Sequence, residues 1–267
     1  MTQPALHFYD FGEGVKAFSS TRKGGCSEGN YTEFNINHYC GDSEEAIQRN
    51  RASLCQFLGI SDDRLVMPHQ VHQTKVVAVD EAFLRLSVEA RKERLEGVDA
   101  LMTDLVGVCI GVSTADCIPV LLYDRAKRVS CAIHAGWRGS VRRIVETAVE
   151  AMISTYGSFP SDLLAQIGPG IHLESFEVGD EVYETFAKEG FAMETISQRF
   201  PAADGSSIEK WHIDLPMCNR QQLLSKGIPQ SQISVSEVCT FQQFETYFSA
   251  RRLGINSGRI FTGILML

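Results

Sequence analysis

The chain has 267 residues, of which 44% are hydrophobic and 22% charged, and its formal net charge is −8. This composition is that of an ordinary globular protein, which excludes a disordered or fibrous chain. The net negative charge argues against nucleic acid as a partner, because nonspecific affinity for nucleic acid depends on clustered Lys and Arg.

The length and the even composition predict one domain over residues 1–267, because no Pro/Ser-rich linker or internal repeat divides the chain. The N-terminus lacks a basic start followed by an apolar run, so we expect a cytoplasmic protein without a secretory signal. The most apolar stretch, residues 105–123, is interrupted by polar residues and by Pro119, which indicates buried strands and no membrane span. The eight cysteines form no C-x-x-C pair and are expected to be reduced.

Hydrophobic periodicity predicts strands and helices that alternate along the chain. In chain order we predict a helix over 43–58, strands over 73–80, 107–112, 118–123 and 129–134, helices over 140–157 and 216–226, and strands over 232–238 and 259–267. Ser140 is the predicted N-cap of the second helix and Gly157 its C-cap. The short loop at 124–127 indicates an antiparallel hairpin, so the predicted class is α/β with mixed sheets.

Two histidines, His69 and His72, precede the first predicted strand. Pro68 disfavours helix at the residue before it, so we expect both histidines on extended backbone. Residues three apart in a strand point to opposite faces, and a single metal is therefore not expected to take both. One of the two is predicted to face a site, and the spacing does not say which.

Cys117 and His134 are the other candidate ligands. Cys117 lies in a polar turn between two apolar strands, and His134 ends an apolar strand just before a helix, where sites of α/β sheets collect. One thiolate with one or two imidazoles suits zinc, and three protein ligands leave a fourth position open for catalysis. Core packing is the alternative explanation for each residue taken alone.

A glycine-rich turn into the helix after His134 suits an anion such as phosphate, with Arg138, Gly139 and Ser140 as candidate substrate-binding residues. Arg22, in a second glycine turn, is a further candidate, although turn formation alone explains both segments. Asp99 and Asp104 are each predicted to orient a ligand or to act as a general base, with a surface cap as the alternative. The identity of the base remains open among Asp99, Asp116 and His69.

Short motifs cover nearly the whole chain: Ser-Ser-Thr-Arg-Lys-Gly-Gly at 19–25, Asn-Arg at 50–51, His-Gln-Val-His at 69–72, Gly-Val-Asp-Ala at 97–100, Ala-Asp-Cys at 115–117, His-Ala-Gly-Trp-Arg-Gly at 134–139, Ile-Gly-Pro-Gly at 167–170 and Cys-Thr at 239–240. Together they resemble the laccase-domain or multicopper polyphenol-oxidase-like family, also described as purine nucleoside phosphorylases. The resemblance implies zinc ligation by His72, Cys117 and His134 and an α/β/β/α layered fold. It also implies phosphorolysis of adenosine, inosine and methylthioadenosine with phosphate, and adenosine deamination as a second activity.

Three alternatives stay open. A copper-dependent polyphenol oxidase with four coppers needs roughly ten histidines, and this chain has seven, although a single copper remains compatible with the same ligands. A metal-free amidohydrolase would use Cys117 as nucleophile and His134 as base, as in the editing of a peptidoglycan precursor proposed within the resembling family. A binding module without catalysis is the third. The sequence leaves the oligomeric state open.

Overall fold

A computed structural model describes residues 3–202 and 208–267. The strands within these ranges are β1 (Leu6–Tyr9), β2 (Val15–Ser20), β3 (Leu65–Val66), β4 (Val76–Ala78), β5 (Ala100–Thr103), β6 (Cys109–Thr114), β7 (Ile118–Asp124), β8 (Val129–Ala135), β9 (Leu163–Ile167), β10 (Glu177–Val178), β11 (Ser197–Pro201), β12 (Glu209–Ile213), β13 (Ile233–Val235) and β14 (Ile260–Met266). The helices are α1 (Glu44–Leu58), α2 (Glu81–Leu84), α3 (Val88–Leu95), α4 (Trp137–Val141), α5 (Ile144–Tyr156), α6 (Asp180–Lys188), α7 (Met193–Ile196), α8 (Leu215–Ser225) and α9 (Ala250–Leu253).

The strands form two large sheets and one small one. The five-stranded sheet has the order β1-β2-β14-β6-β3, and the six-stranded sheet has the order β13-β9-β7-β8-β5-β4. Both are mixed, because β3 runs parallel to β6, β4 parallel to β5 and β13 parallel to β9, while the other neighbours are antiparallel. The third sheet, β10-β12-β11, is antiparallel and was not predicted.

Three apolar layers separate the elements. Side chains of β6 and β14 pack against side chains of β7 and β8, so the two large sheets face each other. The outer face of the six-stranded sheet is covered by α5 and α8, and the outer face of the five-stranded sheet by α1. The predicted α/β/β/α layering is therefore confirmed, with the helices shielding apolar sheet faces that would otherwise meet water.

The predicted C-terminal helix caps at glycine agree with the structure, whereas the predicted N-terminal cap at Ser140 does not. Helices α1 and α5 end at Gly59 and Gly157, whose φ angles of +77° and +68° are readily reached only without a Cβ. The N-cap prediction for Ser140 is wrong. Ser140 lies inside α4, and its hydroxyl contacts the Asn219 side chain at 3.1 Å. The helix is instead broken at Arg143, where φ is +61°.

The strand predictions differ mainly in length. The segment predicted over 73–80 is a strand only from Val76 to Ala78, because the backbone before it turns to aim its N–H groups at Asp99. The predicted hairpin of β7 and β8 is confirmed. Within the described parts of the chain, no helix has the length and apolar character needed to span a bilayer.

The chain crosses between the two large sheets at a place that defines the site. It leaves the five-stranded sheet after β3 and enters the six-stranded sheet at β4, and it makes the same passage from β6 to β7. His72 lies on the first crossover and Cys117 on the second. His134 stands at the end of β8, beside the second crossover.

Candidate active site

The strand register places Cys117 next to His134. In the β7–β8 pair, Ile118 is opposite Ala135, so the residue before β7 lies beside the residue after β8, which is Gly136. A Cβ atom at Gly136 would lie 2.9 Å from the Cys117 sulfur and 2.7 Å from Cδ2 of His72. These distances are below ordinary van der Waals contact, so glycine at this position lets the side chains of His72 and Cys117 approach each other.

The three candidate ligands meet at one point. The donor atoms of His72, Cys117 and His134 all lie within 4.8 Å of one another, and no other such group of three occurs among the described residues. The two imidazole rings approach edge to face, with ring centroids 4.8 Å apart. His72 and Asp116, the residue before Cys117, have φ angles of +63° and +85°, which is uncommon for residues other than glycine and costs about 1–3 kcal/mol each.

Asp99 joins two of these ligands. Its carboxylate is fully buried and accepts a hydrogen bond from Nδ1 of His134 at 2.7 Å. It also accepts from the backbone N–H groups of His72 at 3.0 Å and Gln73 at 2.7 Å. The position follows from β5 pairing with β8, because Asp99 precedes β5 and its carbonyl accepts the N–H of His134. As an anion, Asp99 holds the proton on Nδ1 and leaves Nε2 of His134 free to bind a metal.

The electrostatics of the group favour a thiolate. Burial raises the pKa of the Cys117 thiol, but the charge of His134 and hydrogen bonds from His134 and His72 outweigh burial and bring this pKa to about 6. Burial lowers the pKa of His134, whereas the Cys117 thiolate and the Asp99 carboxylate raise it to about 9. The pKa of Asp99 is raised by burial and lowered more strongly by His134 and the two backbone N–H groups. The thiolate is the form of cysteine that binds metals and attacks electrophiles.

The donor set fits a zinc ion. Zinc bonds of about 2.3 Å to sulfur and 2.0–2.1 Å to imidazole place tetrahedral donors about 3.4–3.6 Å apart. The three donor atoms lie within 4.8 Å of one another, so small side-chain rotations bring them to that spacing. Two imidazoles and one thiolate also suit copper, because both ions take borderline-soft ligands. Three protein ligands leave one tetrahedral position for water or substrate.

The site opens into a cavity of about 630 Å³, which is within the usual range for small-molecule sites. His69 also lines it, but is not one of the three ligands. The ring of His69 stacks on Tyr39 with centroids 3.9 Å apart, and its Nδ1 pairs with Glu96 at 2.8 Å. The expectation that only one of the two histidines joins the ligand group therefore agrees with the geometry, although His72 does not lie on extended backbone as predicted.

Several residues of the cavity wall were not predicted. Gln70 bridges Ser113 by accepting its backbone N–H and donating to its carbonyl, each at 2.8 Å. Asn37 donates to the Ser113 hydroxyl, and Tyr39 and Arg259 reach the wall from segments distant in sequence. Only Gln70 carried a signal that could have found it, since it stands between the two histidines of the motif.

The four residues predicted to bind substrate lie outside the cavity beside the candidate metal ligands. Arg138 is exposed and stacks on Trp137, and Gly139 and Ser140 are buried within α4. Arg22 donates to the carbonyls of Thr32 and Phe244. None of the four lines the cavity beside the candidate metal ligands.

Two other acidic candidates have structural partners or lie outside the site. Asp116 accepts from the Thr240 hydroxyl and from the backbone N–H of Arg251, each at 2.7 Å. Asp104 is exposed at the end of β5. Asp99 is thus the carboxylate in direct contact with the ligand group, and it touches His134 without lining the cavity.

A family profile described as multi-copper polyphenol oxidoreductase laccase matches residues 16–267. The chain belongs to this laccase-like family. A purine nucleoside phosphorylase of Bacteroides thetaiotaomicron is 46% identical to it over 252 residues, covering 94% of this chain and 92% of the relative. An adenosine deaminase from an unknown prokaryotic organism is 43% identical and covers 97% of both chains. These names support an enzyme of the laccase-like family.

Solved structures of the laccase-like fold agree with this assignment. The crystal structure of the hypothetical protein YfiH of Bacillus licheniformis superposes with a TM-score of 0.89 at 28% identity, covering 99% of this chain and 97% of that one. The structure of YlmD from Geobacillus stearothermophilus gives a TM-score of 0.83 at 30% identity, covering 95% and 92% of the two chains. The mixed α/β layering is therefore the fold of these neighbours.

Proposed function

We propose that the chain is a cytoplasmic, zinc-dependent purine nucleoside phosphorylase. Its substrates are adenosine, inosine and methylthioadenosine together with phosphate, and adenosine deamination is a second activity of the same site. The observation that carries the proposal is the convergence of His72, Cys117 and His134 on the wall of an open cavity. The names of the two relatives above supply the substrate class.

The residues of the chain divide the work in the following way. Nε2 of His134, the ring of His72 and the sulfur of Cys117 hold the metal, and Asp99 fixes the orientation of His134. Zinc bound there would supply a Lewis acid toward the substrate and lower the pKa of a bound water. Hydrogen bonds with Asp99, Thr240 and Arg251 hold His72 and Asp116 at their positive φ angles, so two of the ligand segments are in place before substrate arrives.

The cavity wall suits a nucleoside in shape and chemistry. Its volume of about 630 Å³ accommodates a purine and a ribose. The side chain of Tyr39 is about half exposed, and its stack with His69 presents an aromatic surface to the cavity. Aromatic side chains of this kind stack on nucleobases, which is worth about 1–3 kcal/mol for each base. Asn37, Gln70 and Ser113 form a hydrogen-bonded polar patch on the same wall, which suits the hydroxyl groups of a ribose.

The test separates phosphorolysis from deamination by product. Purified zinc-loaded protein is incubated with adenosine, once with phosphate and once without. Adenine formed only with phosphate shows phosphorolysis, and inosine formed without phosphate shows deamination. Absence of both products, with inosine and methylthioadenosine also unchanged, would overturn the proposal.

Variants link these activities to the ligand group. Cys117→Ala and His72→Ala are expected to lose both activities, as is the wild type after treatment with a chelator. Cys26→Ala is the matched control, because Cys26 is a half-buried free cysteine outside the cavity. Full activity of Cys117→Ala would show that the chemistry takes place elsewhere.

A second candidate function rests on the thiolate itself. The lowered pKa of Cys117 and the raised pKa of His134 describe a thiolate–imidazolium pair, which is the arrangement of a cysteine-dependent amidohydrolase acting without metal. Inactivation by iodoacetamide together with full resistance to chelator would favour it over phosphorolysis. The copper oxidase alternative is decided by metal analysis after native purification, since the same three donors accept either ion.

A further inference from the structure

The cavity beside the candidate metal ligands differs in charge from the rest of the protein. The chain carries a formal net charge of −8, yet the described residues that line this cavity include no Asp or Glu. They include three histidines, His69, His72 and His134, and a single arginine, Arg259. The Cys117 thiolate, His72 and His134 belong to the candidate metal ligands, so Arg259 is the permanent charge that the rest of the described wall offers, and it favours an anionic ligand.

Arg259 is held in a fixed position by backbone carbonyls. Its Nη1 donates to the carbonyls of Ser257 and Gly258, the latter at 3.0 Å, and its Nη2 donates to the carbonyl of Ile255 at 2.8 Å. Its own backbone N–H donates to Oδ1 of Asn35 at 3.1 Å, which fixes the start of β14. A guanidinium has five N–H donors, so these bonds leave Nε–H and one Nη2 hydrogen for a ligand. An arginine that is already ordered loses little side-chain entropy when it binds.

We propose that Arg259 binds the phosphate that attacks the nucleoside, as the permanently charged group of this cavity. The inference rests on the proposed function, because it names the residue that receives the second substrate. Arg138 and Arg22 do not line the cavity, so neither reaches an anion bound there. Arginine suits this role because two adjacent N–H groups match two phosphate oxygens.

Asn256 stands in the same segment and also lines the cavity. The segment starts at Gly254, whose φ is +87°, and is closed by the bond from the Ser257 hydroxyl to the carbonyl of Gly254 at 2.7 Å. Asn256 is exposed, and its amide is a further hydrogen-bond donor on the same cavity wall as Arg259. The phosphate site is therefore built from one short segment between α9 and β14.

The test measures phosphate and nucleoside separately. Arg259→Lys and Arg259→Met are compared with wild type in steady-state phosphorolysis of inosine, and binding of inorganic phosphate to the zinc-free protein is measured by titration calorimetry. We expect Arg259→Met to raise the KM for phosphate and the phosphate dissociation constant by about 10- to 100-fold, with the KM for inosine changed much less. Arg259→Lys is expected to recover only part of this loss, because lysine lacks the fork.

A structural role for Arg259 is controlled with Arg91→Lys and Arg91→Met. Arg91 also donates to two backbone carbonyls, those of Asp63 and Leu84, and lies outside this cavity. If the Arg259 variants change the phosphate constants no more than the Arg91 variants do, the inference is overturned. If wild type binds phosphate through Arg259 but catalyses no phosphorolysis, the anion site stands and the proposed function fails. If wild type is an active phosphorylase and the Arg259 variants leave the KM for phosphate unchanged, the proposed function stands and the assignment of Arg259 fails.

Discussion

The carboxylate of Asp99 offers the sharpest test of how the ligand group is built. Replacing it with asparagine keeps the size of the side chain and removes its charge. In the structure one oxygen accepts from His134 and His72, and the other accepts from the backbone N–H groups of Gln73 at 2.7 Å and of Val71 at 3.4 Å. In asparagine one of the two carboxylate oxygens becomes an amide nitrogen, which cannot accept a hydrogen bond. At either position this nitrogen would face an N–H donor.

The smaller loss arises when the amide nitrogen faces Gln73. A buried N–H left without an acceptor costs about 1–3 kcal/mol of folding stability. The bond to Nδ1 of His134 then remains, but its acceptor is neutral, and a bond of that kind has roughly half the strength of a charged one. Mutation of such a partner of a metal-binding histidine lowers metal affinity by about 10- to 100-fold, which is about 1.4–2.8 kcal/mol.

The assay is competition for zinc against a chromogenic chelator at constant pH, with wild type and Asp99→Asn side by side. Asp104→Asn is the matched control, because Asp104 is an exposed aspartate only five residues further along the chain. We expect a weaker zinc complex for Asp99→Asn and an unchanged one for Asp104→Asn. Equal zinc affinities of all three proteins would refute the conclusion that Asp99 orients His134.

Three further predictions concern the thiolate, the glycine beside it and the core. In the zinc-free protein, the rate of Cys117 alkylation by iodoacetamide should rise with pH and reach its midpoint near pH 6, because the pKa of Cys117 is lowered to about 6. At pH 7 about 90% of Cys117 is then thiolate, compared with about 1% for a thiol of pKa 9. Mass spectrometry of the labelled peptide measures the rate, and a midpoint above about pH 8 contradicts the prediction. Gly136→Ala should weaken zinc binding more than Gly139→Ala. The new methyl group at position 136 would lie 2.9 Å from the Cys117 sulfur, whereas at position 139 the nearest atom is the Gln73 carbonyl oxygen at 3.2 Å, which is not a candidate metal ligand. Equal zinc affinities of the two variants would contradict this prediction. In urea denaturation, Asn50→Ala should lower the free energy of unfolding by about 2–4 kcal/mol, because this buried amide hydrogen-bonds Ser27 and three backbone groups. The control Arg49→Ala, at an exposed residue, should change the free energy of unfolding by less than about 0.5 kcal/mol.

The parts of the fold that the sequence predicted correctly are those that depend on local chemistry. Helix α1 and its end at Gly59 follow from helical spacing and from a residue that tolerates positive φ. The hairpin of β7 and β8 follows from two apolar runs joined by a short polar loop. The small sheet was missed because β11 is mostly exposed and shows no buried face.

The sequence pointed to candidate ligands that stand at strand ends, but not to the cavity residues that only tertiary contacts bring together. Cys117 and His134 stand at strand ends, which is a local feature that indicates sites in α/β sheets. The choice of His72 over His69 required the family resemblance, because the φ of +63° at His72 violates the extended geometry that the spacing argument assumes. Arg259 has no local signal at all, because only the packing of the segment after α9 brings it to the cavity.

The crossovers that contain His72 and Cys117 have a consequence for stability. An ion gripped by His72 and Cys117 would fasten both passages of the chain to the end of β8, and thereby join the two β layers at one edge. Metal release and separation of the layers then become coupled steps, and occupancy of the ion raises the melting temperature by mass action. In such an enzyme the metal would serve both catalysis and the joining of the two sheets, so that loss of the ion lowers the stability of the fold as well as the activity.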